Sequence, residues 1–163
     1  MNNDKGYTLI EMLIVIVVFA TISIVSSETI ILTLRGTYKA NAISAVRQNV
    51  DYAMSAMEGQ LRGAKRITSV CNSTSSSQIS FVDQNNNPIT FSCVGINNNN
   101  LPASIASSSG TLTANTITIS ACSFVCTPGI NSSPYVTINV TAKDLVGQNA
   151  PVTATTQVTL RSY

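Results

Sequence analysis

The 163-residue chain contains no histidine and no tryptophan. The first absence removes Ser-His-Asp catalysis, Cys-His catalysis and every histidine-ligated metal site in one step. Charge is scarce too. Asp, Glu, Lys and Arg together make up 10% of the residues, against roughly 25% in a typical soluble domain. A net charge of +2 is too small to argue for a specific nucleic-acid partner, and Lys143 and Arg161 are the only basic residues beyond position 67. That same half offers only Asp83 and Asp144 as acids. No metal, cofactor, small-molecule substrate or enzymatic activity is therefore expected. Proline is missing from residues 7–67, where only Gly36, Gly59 and Gly63 interrupt good helix formers.

What is present is unevenly placed. Hydrophobic residues make up 44% of the chain, and a dense block of them fills residues 9–34. Residues 12–20 are unbroken apolar sequence, and over residues 9–25 only Glu11, Thr21 and Ser23 are polar. That run sits at the lower edge of the roughly 17–25 residues a helix needs to span a bilayer. Beyond Arg35 the period becomes that of an amphipathic helix. Ile43, Val46, Val50, Met54, Met57, Leu61 and Ala64 follow one another at steps of three or four, which puts them on one face. The basic residues Arg35, Lys39, Arg47, Arg62, Lys65 and Arg66, interrupted by Asp51 and Glu58, read as a solvated face. One continuous helix of about 60 residues would be about 90 Å long. No core available to this chain could cover it, so its apolar first half must meet lipid or other copies of itself.

After Ile67 the composition shifts to Ser, Thr and Asn. Short β-like runs at residues 78–82, 89–94, 116–124, 135–141 and 152–160 are separated by polar loops at 72–77, 97–100 and 103–110. Several runs alternate strictly, as in Val136-Thr-Ile138-Asn-Val140, which fits an antiparallel sheet with one wet face. Asn85-Asn-Asn-Pro88 reads as a hairpin turn. The expected fold is α+β: a long N-terminal helix, apolar and exposed in its first half and amphipathic in its second, packed on a C-terminal antiparallel sheet. The four cysteines, Cys71, Cys93, Cys122 and Cys126, all fall in this second half. An even number downstream of a membrane-type segment fits an oxidising compartment. Their wide spacing lacks the paired CxxC of zinc ribbons, so disulfides are expected, with all three pairings open.

The start of the chain decides among functions. A secretory signal peptide is disfavoured by Glu11 near the head of the apolar run and by a patterned helix that continues past any cut. A plain single-pass anchor leaves a carboxylate at the membrane edge unexplained, and such a residue is costly there. The junction Lys5-Gly6-Tyr7-Thr8-Leu9-Ile10-Glu11, leading straight into an apolar helix, closely resembles the processing signature of type IV prepilins and type II secretion pseudopilins.

The resemblance implies a six-residue leader, residues 1–6, removed by a membrane-embedded prepilin peptidase between Gly6 and Tyr7, with methylation of the new N-terminal Tyr7. It implies that Glu11 pairs with the Tyr7 amine of a neighbouring subunit, or with its own, as subunits leave the inner membrane for a helical filament of pilins. A buried amine and a buried carboxylate are each expensive alone and much less so together. Residues 7–34 would form the membrane or filament-core helix, 35–67 its amphipathic continuation and 68–163 the sheet region. Where many major pilins carry a proline this chain has Glu28, and where they often carry a glycine it has Ala20. Ser26-Ser27-Glu28 is then the candidate weak point of the helix, because serine competes for backbone hydrogen bonds. Residues 46–62 are similar to the corresponding helix of minor pilins and J-type pseudopilins. The expectation is a minor subunit of a type IV pilus or related cell-surface filament. The alternatives are a pseudopilin of a periplasmic secretion filament and a membrane-anchored binding module or adhesin.

Overall fold

The computed structural model describes residues 6–96, 102–129, 133–145 and 151–160. Residues 1–5, including Lys5, lie outside the described residues, as do the asparagine run at 97–100 and Arg161. The chain divides into two compact units, one ending at Ala40 and the other beginning at Asn41. A single 54-residue helix, α1 (Leu9–Arg62), contributes to both.

The first unit is helix and little else. Every described residue from 6 to 40 is exposed, including side chains as large as Leu9 at 85% and Phe19 at 72%. The segment is long and apolar enough to cross a membrane. The serine and threonine hydroxyls between residues 9 and 40 are satisfied within the helix. Thr21 and Thr37 donate to the carbonyl three residues back, and Ser23, Ser26, Ser27, Thr29 and Thr33 to the carbonyl four back. A hydroxyl with its proton already placed needs no water, so these residues interrupt the apolar surface at small cost. The helix runs through Ser26-Ser27-Glu28 without a break. The two serines bend their protons back to the ladder rather than opening it.

The second unit has a conventional core. On α1 the buried face is Val46, Val50, Ala53, Met54, Met57 and Leu61, with Ala64 just beyond the helix end. Ile43, the first residue of the expected stripe, is half-buried. The helix stops at Gly63, whose N–H still reaches the Gly59 carbonyl, after which the Lys65 N–H is captured by the Val82 carbonyl at 2.8 Å. That bond turns the chain into β1 (Arg66–Ile67).

Two antiparallel sheets follow where one was expected. The first has the order β1-β3-β4-β5-β6, with β3 (Gln78–Val82), β4 (Pro88–Val94), β5 (Ser104–Ser107) and β6 (Gly110–Thr111). The second has the order β2-β7-β8-β9, with β2 (Ser75–Ser76), β7 (Ile117–Thr127), β8 (Tyr135–Asp144) and β9 (Val152–Thr159). Period-two patterning sets which face is dry. Along β8 Val136, Ile138, Val140 and Ala142 are buried, while the alternate positions are partly exposed. Both sheets and the second half of α1 contribute to one hydrophobic cluster. Phe81 and Phe91 lie at its centre, fully buried with ring centroids 5.3 Å apart.

The hairpin turn before Pro88 forms with Asp83 as its organiser. Its Oδ1 accepts the Asn87 N–H at 2.7 Å, and Asn86 takes a left-handed φ of 66°. Two stretches expected as loops carry strands instead. Residues 103–110 hold β5 and the turn into β6, because Ala103 and Ile105 are buried in the core. The buried Thr113 hydroxyl also accepts the Ile105 N–H. Residues 72–77 contain β2, which pairs with Val125 and Phe124 of β7. In both places serine-rich composition hid a strand held by a few long-range contacts.

Candidate functional site

The residues singled out at the N-terminus sit together at the mouth of α1. Gly6, Tyr7 and Thr8 precede the helix without regular structure, and all are exposed, Tyr7 to 80%. A Cβ built on Gly6 would meet no heavy atom within 4 Å. The peptide between Gly6 and Tyr7 thus lies outside the helical hydrogen-bond ladder.

Thr8 is the N-cap, a role not expected from the motif. Its carbonyl accepts the N–H groups of Glu11 and Met12 at 3.1 and 3.3 Å, and its Oγ1 accepts the Glu11 N–H at 3.4 Å. The signal was present as Thr8-Leu-Ile-Glu11, the spacing of a capping box. The cap fixes where the helix begins and so places Glu11 in its first turn. A helix start carries about half a positive charge, which favours a carboxylate there and penalises a cation. An amine created at Tyr7 would add a full positive charge to that same end. Glu11 is the only acidic residue in the first turn and has no side-chain partner among the described residues. The arrangement can therefore neutralise a new terminal amine, in its own chain or in a neighbour.

The cysteines resolve into two pairs, both in the second unit. Cys71 joins Cys126 with a Cα–Cα distance of 4.8 Å, and Cys93 joins Cys122 at 5.9 Å. Cys93 lies on β4 and Cys122 on β7, so this bond staples one sheet to the other. Cys71 lies between β1 and β2 and fastens that connection to β7. A further tie that patterning did not suggest is Glu58. Its carboxylate accepts from the Thr156 hydroxyl of β9 and pairs with Arg62 one turn later, at 3.4 Å. The basic residues Arg35, Lys39, Arg47, Arg62, Lys65 and Arg66 are all exposed. Among the described residues no group of three or more Cys, Asp or Glu is placed to hold a metal ion.

Residues 1–27 match the family model of the prokaryotic N-terminal methylation motif. No curated protein and no solved structure matches the chain.

Proposed function

We propose that this chain, which carries the N-terminal methylation motif of type IV pilins and pseudopilins on a pilin-like fold, is a structural filament subunit that acts by polymerisation rather than by catalysis. Made as a prepilin, it waits in the inner membrane through the first half of α1. Prepilin peptidase cuts between Gly6 and Tyr7 and Tyr7 is methylated. The subunit then leaves the bilayer for a helical filament of pilins, where Glu11 offsets the Tyr7 amine of a neighbour. The observation that carries this reading is the motif at the head of a helix whose first half buries nothing. A chain that gathers its buried core in one unit and leaves every described residue from 6 to 40 exposed is built to have that stretch covered by something else.

Within this class the reading is a minor subunit of a type IV pilus, supported by Ala20 and Glu28 and by the helix at residues 46–62. Cleavage before the apolar run retains the helix as an assembly element, which distinguishes this function from secretion by a signal peptide. It also separates it from a plain anchored adhesin, whose display would not need Gly6. The decisive measurement is the intact mass of the mature protein together with its N-terminal sequence. The expected species starts at methylated Tyr7, and Gly6→Val strands the full-length precursor in the membrane. Mature protein starting at Met1 or Glu28, or unchanged display of Gly6→Val, would sink the reading.

A further inference from the structure

Beyond Val25, the exposed part of α1 that ends at Ala40 carries three charged side chains: Glu28, Arg35 and Lys39. Seven and eleven residues bring a helix of about 3.6 residues per turn back to within roughly 20° of its starting direction. The carboxylate and the two cations therefore lie on one stripe, with the cations about 10 Å and about 16 Å further along the axis.

None of the three can find an opposite charge in its own helix. Side chains meet along a helix at steps of three and four. For Glu28 those neighbours are Ile24, Val25, Ile31 and Leu32, all apolar. For Arg35 they are Ile31, Leu32, Tyr38 and Lys39, and for Lys39 they are Arg35, Gly36, Ala42 and Ile43. Arg35 and Lys39 thus face each other as like charges, a mildly repulsive pair that a carboxylate from outside would relieve. Among the described residues none of these three side chains forms a hydrogen bond or ion pair.

We infer that this stripe is a self-complementary contact between parallel copies of the chain, resting on the filament reading above, not on the minor-subunit assignment within it, and taking copies of this chain as neighbours in the filament. Glu28 of one copy enters between Arg35 and Lys39 of another, which is displaced along the helix axis by seven to eleven residues, about 10–16 Å. Apolar helix surfaces attract but discriminate poorly between registers. A charge that must be paired once its surroundings are dry selects one register and rejects others. Because Glu28 is ringed by Ile24, Val25, Ile31 and Leu32, covering that ring with another helix removes water from the carboxylate. An unpaired charge is then strongly unfavourable, and a paired one much less so.

The test is a charge swap in the full-length chain, expressed with its peptidase and read as the amount of this subunit in sheared filaments. Glu28→Arg and the double change Arg35→Glu/Lys39→Glu should each lower incorporation at least about tenfold, since a like-charge juxtaposition at an interface costs several kcal/mol. The triple change Glu28→Arg/Arg35→Glu/Lys39→Glu should recover to within about threefold of wild type, because the pairing is restored with its signs exchanged. Each variant is first shown by mass to start at methylated Tyr7 with both disulfides closed, so a misfolded or uncut chain is not mistaken for an assembly defect. Single reversals that assemble like wild type, or a triple variant no better than the singles, would overturn the inference. So would rescue of Glu28→Arg by a reversed charge on another pilin and not on this chain. A wild-type chain left uncut at Gly6 would instead overturn the filament reading on which the inference stands.

Discussion

Residues 9–40 and residues 41–62 belong to one helix, yet they solve opposite problems. In the second segment a stripe of Val46, Val50, Met54, Met57 and Leu61 disappears into a core shared with two sheets. In the first, Ile, Leu, Val and Phe side chains stand exposed all round. The two segments differ in how much apolar surface they carry and in where it sits on the helix. A stripe can be covered by a sheet of the same chain, whereas an all-round apolar surface can be covered only by lipid or by several other helices. The second segment is stabilised within its own unit, and the first is stabilised by whatever surrounds it.

The largest effect is expected from separating the two segments. A fragment of residues 41–163 is expected to be soluble without detergent, to keep both disulfides and to unfold cooperatively. The full chain should require membrane or detergent. Size-exclusion chromatography and circular dichroism of both decide the matter. A fragment that aggregates would mean that the second unit also depends on its surroundings.

Within that fragment the disulfides come next. The pairs close 55 and 29 residues of sequence. The chain-entropy relation then gives a loss of about 4 kcal/mol for Cys71→Ser/Cys126→Ser and about 3.5 kcal/mol for Cys93→Ser/Cys122→Ser. Denaturant titration should show that order. The reverse order would mean that joining the two sheets matters more than loop length.

Gly95→Ala tests the same unit more gently. Gly95 has φ of +81°, and an added Cβ would lie 3.3 Å from the Ala103 Cα. An L-residue there should cost about 1–2 kcal/mol, read as a lower denaturant midpoint at unchanged slope. Stability equal to wild type would show that the turn after β4 can relax.

The smallest effect belongs to the first segment. Thr29→Val and Thr33→Val remove hydroxyls already bonded to carbonyls four residues back. The rest of each side chain keeps its shape. Helix content in detergent and incorporation into filaments should both stay near wild type, within about 0.5 kcal/mol as for an ordinary surface change. A large loss of incorporation would reveal that one of these hydroxyls meets a partner in the assembled filament.

Much of the molecule was legible because local periodicity carries it. The seven-residue stripe from Ile43 to Ala64, the span of β3 and the alternation in β8 each follow from side chains that must share one face. The N-terminal methylation motif was legible for a different reason: the order of Gly6, Tyr7 and Glu11 along the chain is itself the signal, and residues 1–27 match the family model. What patterning missed was held by contacts distant in sequence. β5 and β6 depend on Ala103 and Ile105 reaching the core and on Thr113 accepting the Ile105 N–H. β2 exists only because Ser75 and Ser76 lie beside Val125 and Phe124. Neither strand has enough apolar residues of its own to announce itself.

Local residue order alone therefore carried the helix, its change of character beyond Arg35 and the N-terminal methylation motif, since each is written within a few turns of neighbouring residues. Only the tertiary structure decided that the strands divide into two sheets, that Cys71 takes Cys126 and Cys93 takes Cys122, and that Glu58 reaches Thr156. Those choices depend on which distant segments the core brings within a few ångströms, and no local pattern encodes that distance.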